Sequence, residues 1–205
     1  MAPGVEPYEL RLGRDTRWAL SEASHYFDES GLLRQSLEKI TSRLNELSIP
    51  YAVAGGLAVF IHGLHRFTDD VDILVTPQGL QSIHHHLDGL GYVPLFTGSK
   101  NLRDTETGVR IEFIIAGQFP GDGKPKPVAF PNPAEVAYEK DGIKFVNLPT
   151  LLTLKLASGM TNPGRLKDLA DVQELIKALN LGLDFATQLP EYVRQKFSEL
   201  WQAAR

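Results

Sequence analysis

The 205-residue chain has no cysteine, no excess of positive charge and no apolar run near the roughly 20 residues that cross a bilayer. The missing cysteine removes any disulfide framework and accords with a reducing compartment. The missing apolar run excludes a membrane-spanning helix, so no membrane partner is expected. The segment from Met1 to Pro7 lacks a basic stretch followed by an apolar one, so a secretory signal is not expected and a cytoplasmic location is. A formal net charge of −4 and a pI near 5.9 leave no basic footprint of the kind that broad nucleic-acid binders carry. Neither His-Glu-x-x-His nor Gly-x-x-x-x-Gly-Lys-Ser/Thr occurs, which sets aside zinc-protease and Walker-type readings. What remains is a globular composition, 42% hydrophobic and 22% charged, sufficient for one sizeable core or for a core with a small helical addition.

Periodicity predicts amphipathic helices over Arg14–Phe27 and Leu32–Leu47, broken by Asp28-Glu29-Ser30-Gly31. A short buried strand, Tyr51–Ala54, follows, then a helix over Leu57–His62 and an apolar strand headed by Asp70. Pro77–Leu90 predicts a crossover helix, and Tyr92–Phe96 a strand that Pro94 demotes toward an edge. Arg103–Gly108 has the composition of a turn and Val109–Ile115 that of a strong strand. Gln118–Pro133, with five prolines, predicts an extended loop. Glu135–Glu139 and Ile143–Val146 flank a hairpin turn at Asp141-Gly142. Helices are expected from Pro149 to Met160, from Asn162-Pro163 to Leu179 with Leu166, Leu169, Val172, Ile176 and Leu179 as its core stripe, and from Pro190 to Ala204. This gives a helical extension over 1–48, a core over 49–148 and a C-terminal helical region over 149–205.

The most informative stretch is Ala54-Gly55-Gly56, followed after thirteen intervening residues by Asp70-Val71-Asp72. On a strand, residues two apart share a face, so Asp70 and Asp72 emerge side by side while Val71 and Ile73 enter a core. Two such charges about 5 Å apart repel by roughly 3 kcal/mol at an effective dielectric near 20. A divalent cation removes the conflict, and hard carboxylate oxygens suit Mg²⁺ or Mn²⁺ bound together with substrate phosphates. Gly55 and Gly56 stand at a strand-to-helix turn, where a missing Cβ lets backbone amides approach an anion.

The order and spacing of these residues resemble the nucleotidyltransferase superfamily typified by DNA polymerase β. Its signature is a Gly-Gly or Gly-Ser turn, a short helix, then Asp-x-Asp or Asp-x-Glu on the next strand. The resemblance implies an α/β (α+β) fold: a mixed sheet flanked by helices. It also implies an enzyme that moves a nucleoside monophosphate from an NTP to a hydroxyl acceptor and releases pyrophosphate. Asp70, Asp72 and a third carboxylate on a later strand would hold two Mg²⁺ or Mn²⁺ ions. Glu112 is the candidate for that third carboxylate: alternation puts Arg110, Glu112 and Ile114 on one face of their strand, opposite Ile111, Phe113 and Ile115. The competing structural explanation is a water-exposed Arg110–Glu112 edge pair.

Arg66-Phe67-Thr68-Asp69-Asp70-Val71-Asp72 is similar to the Arg-x-Thr/Ser-x-Asp-x-Asp form of the branch that includes AbiEii-like and MenT-like toxin nucleotidyltransferases. Lys155, followed by Arg165-Leu166-Lys167-Asp168-Leu169-Ala170-Asp171, is similar to a helical pattern of the same branch. The resemblance implies nucleotide contacts from Gly55, Gly56, Arg66, Thr68, Lys155 and Lys167, and an antitoxin among the partners. Each has a plainer explanation. Arg66 is equally suited to orienting an active-site carboxylate, Lys155 to covering apolar surface with its stem, and Lys167, with Arg165, Asp168 and Asp171, belongs to a set that makes i,i+3 and i,i+4 charge pairs along its helix. Asp69 suits a turn, His62 a helix end and His84-His85-His86 a solvated helix face. The acceptor, whether RNA or tRNA, protein or small molecule, is not written in these residues. An antibiotic-type small-molecule transferase and a catalytically silent nucleotidyltransferase-like binding module are the alternatives.

Overall fold

The computed structural model describes residues 6–27 and 30–205. Asp28 and Glu29, the first half of the expected break, lie outside them. Seven strands form one mixed sheet: β1 (Tyr51–Val53), β2 (Asp70–Val75), β3 (Tyr92–Pro94), β4 (Leu102–Asp104), β5 (Arg110–Ile115), β6 (Ala137–Lys140) and β7 (Ile143–Val146). Their spatial order is β3-β4-β5-β2-β1-β7-β6. The central pair β2 and β5 is parallel, with Asp70 opposite Arg110 and Asp72 opposite Glu112. β1 runs antiparallel to β2 and parallel to β7.

The helices divide between the two faces. On one, α3 (Leu32–Glu46) and α5 (Pro77–Leu87) bury Leu33, Leu37, Ile40, Leu44, Ile83 and Leu87 against Val71, Ile73, Val75, Ile111 and Phe113. On the other, α7 (Leu148–Thr161), α8 (Leu166–Ala178) and α9 (Glu191–Ala203) enclose Leu74 and Val146 with Leu152, Leu156, Val172, Leu175, Val193 and Phe197. Strand alternation therefore sends the odd-numbered residues of β2 into the first core, and Asp70, Asp72 and Leu74 toward the C-terminal helices. Leu74 is covered by them. Asp70 and Asp72, nearer the strand's start, are not.

Several local expectations need correction. The helix expected over Arg14–Phe27 is α2 (Thr16–Phe27), started by the Asp15 carboxylate accepting from the Trp18 amide at 3.0 Å, and a further helix that was not expected, α1 (Tyr8–Arg14), precedes it. The expected turn at Arg103–Gly108 begins with strand β4, whose pairing with β3 and β5 overrides its charged composition. The first part of the expected hairpin strand is a short helix, α6 (Pro133–Val136), started by Asn132 accepting from the Ala134 amide and by Pro133 at its first position. The helix expected from Leu57, α4 (Gly55–Ile61), includes both glycines. The stripe predicted for α8 is buried only in its middle, with Leu166 67% and Leu179 36% exposed. β3 does lie at the sheet edge, and Asp141 and Gly142 turn the β6–β7 hairpin with φ of 53° and 76°.

Candidate active site

Parallel pairing of β2 with β5 brings Asp70, Asp72 and Glu112 together, and one ligand oxygen from each lies within 4.8 Å of the others. β5 is not a sheet edge but sits between β4 and β2, so the Arg110–Glu112 pair is not the water-exposed edge pair that was the alternative. Arg110 Nη2 donates to Asp70 Oδ2 at 3.1 Å. Its Nε lies 3.0 Å from Glu112 Oε1 but is misaligned, and remains buried without a hydrogen-bond partner. Thr68 Oγ1 donates to the other oxygen of Asp70 at 3.0 Å.

Asp72 carries the clearest electrostatic mark of the three. Loss of hydration, and then the neighbouring charges of Asp70 and Glu112, push its pKa up to about 7, against the opposing pull of Lys155 and Arg165. Arg110 sets one positive charge against the triad's three carboxylates, in contact with Asp70 and Glu112.

The glycines serve this packing directly. Gly55 has φ +56°, and a Cβ there would overlap the Asp72 carboxylate; a Cβ on Gly56 would lie 2.6 Å from Thr68 Oγ1. The spacing anticipated the two positions, but what approaches them in the folded chain is side chain.

A cavity of about 330 Å³ opens in front of the triad. Gly55, Asp70, Asp72 and Glu112 line one side, Lys155, Ser158, Arg165 and Asp168 another, and Phe119 and Phe130 of the proline-rich loop a third. The loop is tied down: Lys126 binds Asp122 and the Pro120 carbonyl, and Asn162 Nδ2 donates to the Gly121 carbonyl at 3.2 Å.

Lys155 is not a snorkelling residue. Its side chain is 8% exposed, and its ammonium donates to Asp168 Oδ1 at 2.8 Å and Asp171 Oδ2 at 2.7 Å. Arg66 grips Asp171 with both arms, Nε to Oδ1 at 2.6 Å and Nη2 to Oδ2 at 2.8 Å. Ser158 Oγ donates to Asp168 Oδ2 at 2.7 Å. Burial alone would raise the pKa of Asp171, but the hydrogen bond from Arg66 and the charge of Lys155 outweigh it and hold the pKa low.

Of the residues singled out in the sequence, Gly55, Asp70, Asp72, Glu112 and Lys155 line the cavity. Gly56, Thr68 and Arg66 stand behind that lining, and Lys167 is exposed outside it. Lys100, Arg165, Ser158, Phe119 and Phe130 line it without having been picked out. His62 ends α4 with Nε2 2.8 Å from the Val146 carbonyl, and His85 and His86 are exposed on α5.

A seven-stranded mixed sheet with helices on both faces is consistent with the nucleotidyltransferase fold. No protein-family model and no curated protein matches the chain. Among solved structures it is similar to the crystal structure of ANT(2'')-Ia in complex with adenylyl-2''-tobramycin, at 14% identity and a TM-score of 0.53, covering 80% of this chain and 96% of that one. It is similar also to the solution structure of the antibiotic-resistance factor ANT(2'')-Ia, at 15% identity and a TM-score of 0.52, covering 81% and 91%. No helix among the described residues is long and apolar enough to cross a membrane.

Proposed function

We propose that the chain is a metal-dependent nucleotidyltransferase that moves a nucleoside monophosphate from an NTP to an acceptor hydroxyl. The observation that carries this reading is the convergence of Asp70, Asp72 and Glu112 within 4.8 Å at the wall of a cavity that also holds Lys155. The donor set suits Mg²⁺ or Mn²⁺: three hard carboxylate oxygens, in a place where burial and then the charges of Asp70 and Glu112 raise the pKa of Asp72. The bound metal would supply Lewis acidity, lowering the pKa of the acceptor hydroxyl and offsetting charge on the phosphates.

The chain's own residues do the positioning. Thr68 and Arg110 fix the two oxygens of Asp70, and Gly55 leaves room for the Asp72 carboxylate. Asp168 and Asp171 aim the Lys155 ammonium, which would meet the triphosphate; Arg66 acts behind them by holding Asp171. Phe119 and Phe130 offer an apolar wall to the nucleobase. In the transfer itself the acceptor oxygen attacks the α-phosphorus in line, the bond to the bridging oxygen breaks, pyrophosphate leaves with the electron pair, and the hydroxyl proton passes to solvent.

The adenylyl-2''-tobramycin bound to the ANT(2'')-Ia neighbour places small hydroxylated molecules among the acceptors to test. The resemblance of the Arg66–Asp72 and Lys155–Asp171 patterns to the toxin-type branch adds RNA to the acceptors to test and an antitoxin to the partners to test. Labelled ATP, GTP, CTP and UTP offered with Mg²⁺ or Mn²⁺ to tRNA, protein and small-molecule pools test the proposal. Label transfer with stoichiometric pyrophosphate is expected; wild-type protein silent with every pool points instead to a binding module.

A further inference from the structure

Arg110 touches the triad as a cation, and its charge has a consequence beyond fixing one oxygen of Asp70. Its position follows from register: β5 places Arg110 beside Asp70 as it places Glu112 beside Asp72. The guanidinium reaches both outer carboxylates, 3.1 Å from Asp70 Oδ2 and 3.0 Å from Glu112 Oε1, yet makes a hydrogen bond only to the first. Nε stays buried without a hydrogen-bond partner. An arginine chosen for geometric recognition uses its planar fork, whereas this one acts mainly as a positive charge at the edge of the site.

Charge counting gives that position a consequence. Three carboxylates carry −3 when ionised, Arg110 supplies +1, and the remaining −2 matches one divalent ion. We infer that Arg110 is a resident cation that limits the nucleotide-free triad to a single divalent ion, so that any further divalent charge must come in on the triphosphate itself. The inference rests on the metal-binding reading above. It makes Arg110 a positioning residue that sets metal capacity.

The experiment is a titration of the full chain with Mn²⁺ in the absence of nucleotide, counting free ion by its paramagnetic resonance signal. Wild type is expected to take one ion. Arg110→Gln should bind the first ion at least about tenfold more tightly, as loss of a unit charge a few ångströms away requires, and should take up a second. Arg110→Lys keeps the charge and should stay at one ion near wild-type affinity, and Lys100→Gln, at the cavity rim, should move affinity less than about threefold. Thermal melts establish that each variant is folded, with Arg110→Met replacing Arg110→Gln if that one is not. A wild type that takes two ions, or an uncharged variant that binds Mn²⁺ no more tightly, overturns the inference and leaves the metal site standing. Absence of Mn²⁺ binding in wild type and every variant overturns the metal site together with it.

Discussion

Two acidic clusters face the same cavity and are built on opposite terms. On the sheet, three carboxylates share one arginine, and Asp72 is driven up to about 7. On the helices, Asp168 and Asp171 meet Lys155 and Arg66, and Asp171 is held low. Aspartate and burial are common to both clusters; what differs is the cation count. The helical cluster is balanced within the chain, whereas the sheet cluster is left with three carboxylates against one arginine, the imbalance on which the proposed metal site rests.

The largest expected effect comes from removing charge at the sheet cluster. Asp72→Asn nearly preserves shape, and the transfer rate should fall by about a thousandfold or more, the scale of about 4 kcal/mol of lost transition-state stabilisation. The melting temperature should hold or rise, because crowding in the metal-free triad is relieved. Pyrophosphate release and a thermal melt on the same sample check both halves. Lost activity accompanied by lost stability would blur the distinction between the clusters.

Removing charge at the helical cluster should act on the fold. Asp171→Asn leaves Lys155 and Arg66 short of a partner in a buried place, and a loss of about 3 kcal/mol is expected. For a chain of this size that is a fall of roughly 6–12 °C, read by thermal melt. An unchanged melting temperature would show that the network is not structural.

A pH series sharpens the contrast, because the two shifts have opposite signs. The raised pKa of Asp72 means the folded state binds its proton more tightly than the unfolded one, so its contribution makes the protein less stable as pH rises from about 4 to about 7. The advantage of Asp72→Asn over wild type should therefore grow across that window, toward at most about 4 kcal/mol for a shift of this size. Asp171, with its pKa lowered, stabilises above the ordinary carboxylate range and loses that contribution only as pH falls below about 4. The deficit of Asp171→Asn should stay flat from pH 7 to 4. Metal-free denaturant titrations across the range decide it, and parallel curves for the two variants would contradict the assignment. The smallest effect belongs to Lys167, exposed outside the cavity: Lys167→Ala should change stability by less than about 0.5 kcal/mol in the same titration.

The two clusters were also unequally legible in the sequence. Asp70 and Asp72 are two residues apart on an apolar strand, and strand alternation alone puts them on one face; the same rule turns Glu112 toward them once β5 pairs with β2. Lys155 stood out as a charge in an apolar helix, but its partners lie 13 and 16 residues on, across a helix–helix contact no periodicity encodes. The Arg66–Asp171 pair spans 105 residues. Strand β4 escaped because Arg103 and Asp104 give it a turn's composition, and it exists through its neighbours. Arg165 is visible in the sequence as part of the pattern that follows Lys155, but only the folded chain brings it to the cavity wall.

Recruitment of a divalent metal by the sheet cluster, and of a nucleotide with it, is read out by calorimetry of ATP, GTP, CTP and UTP against the full chain, with Mg²⁺ and then with EDTA. Binding is expected with Mg²⁺, with a loss of at least about tenfold in affinity without it, since three carboxylates otherwise repel a triphosphate. Equal affinity in EDTA would contradict that recruitment.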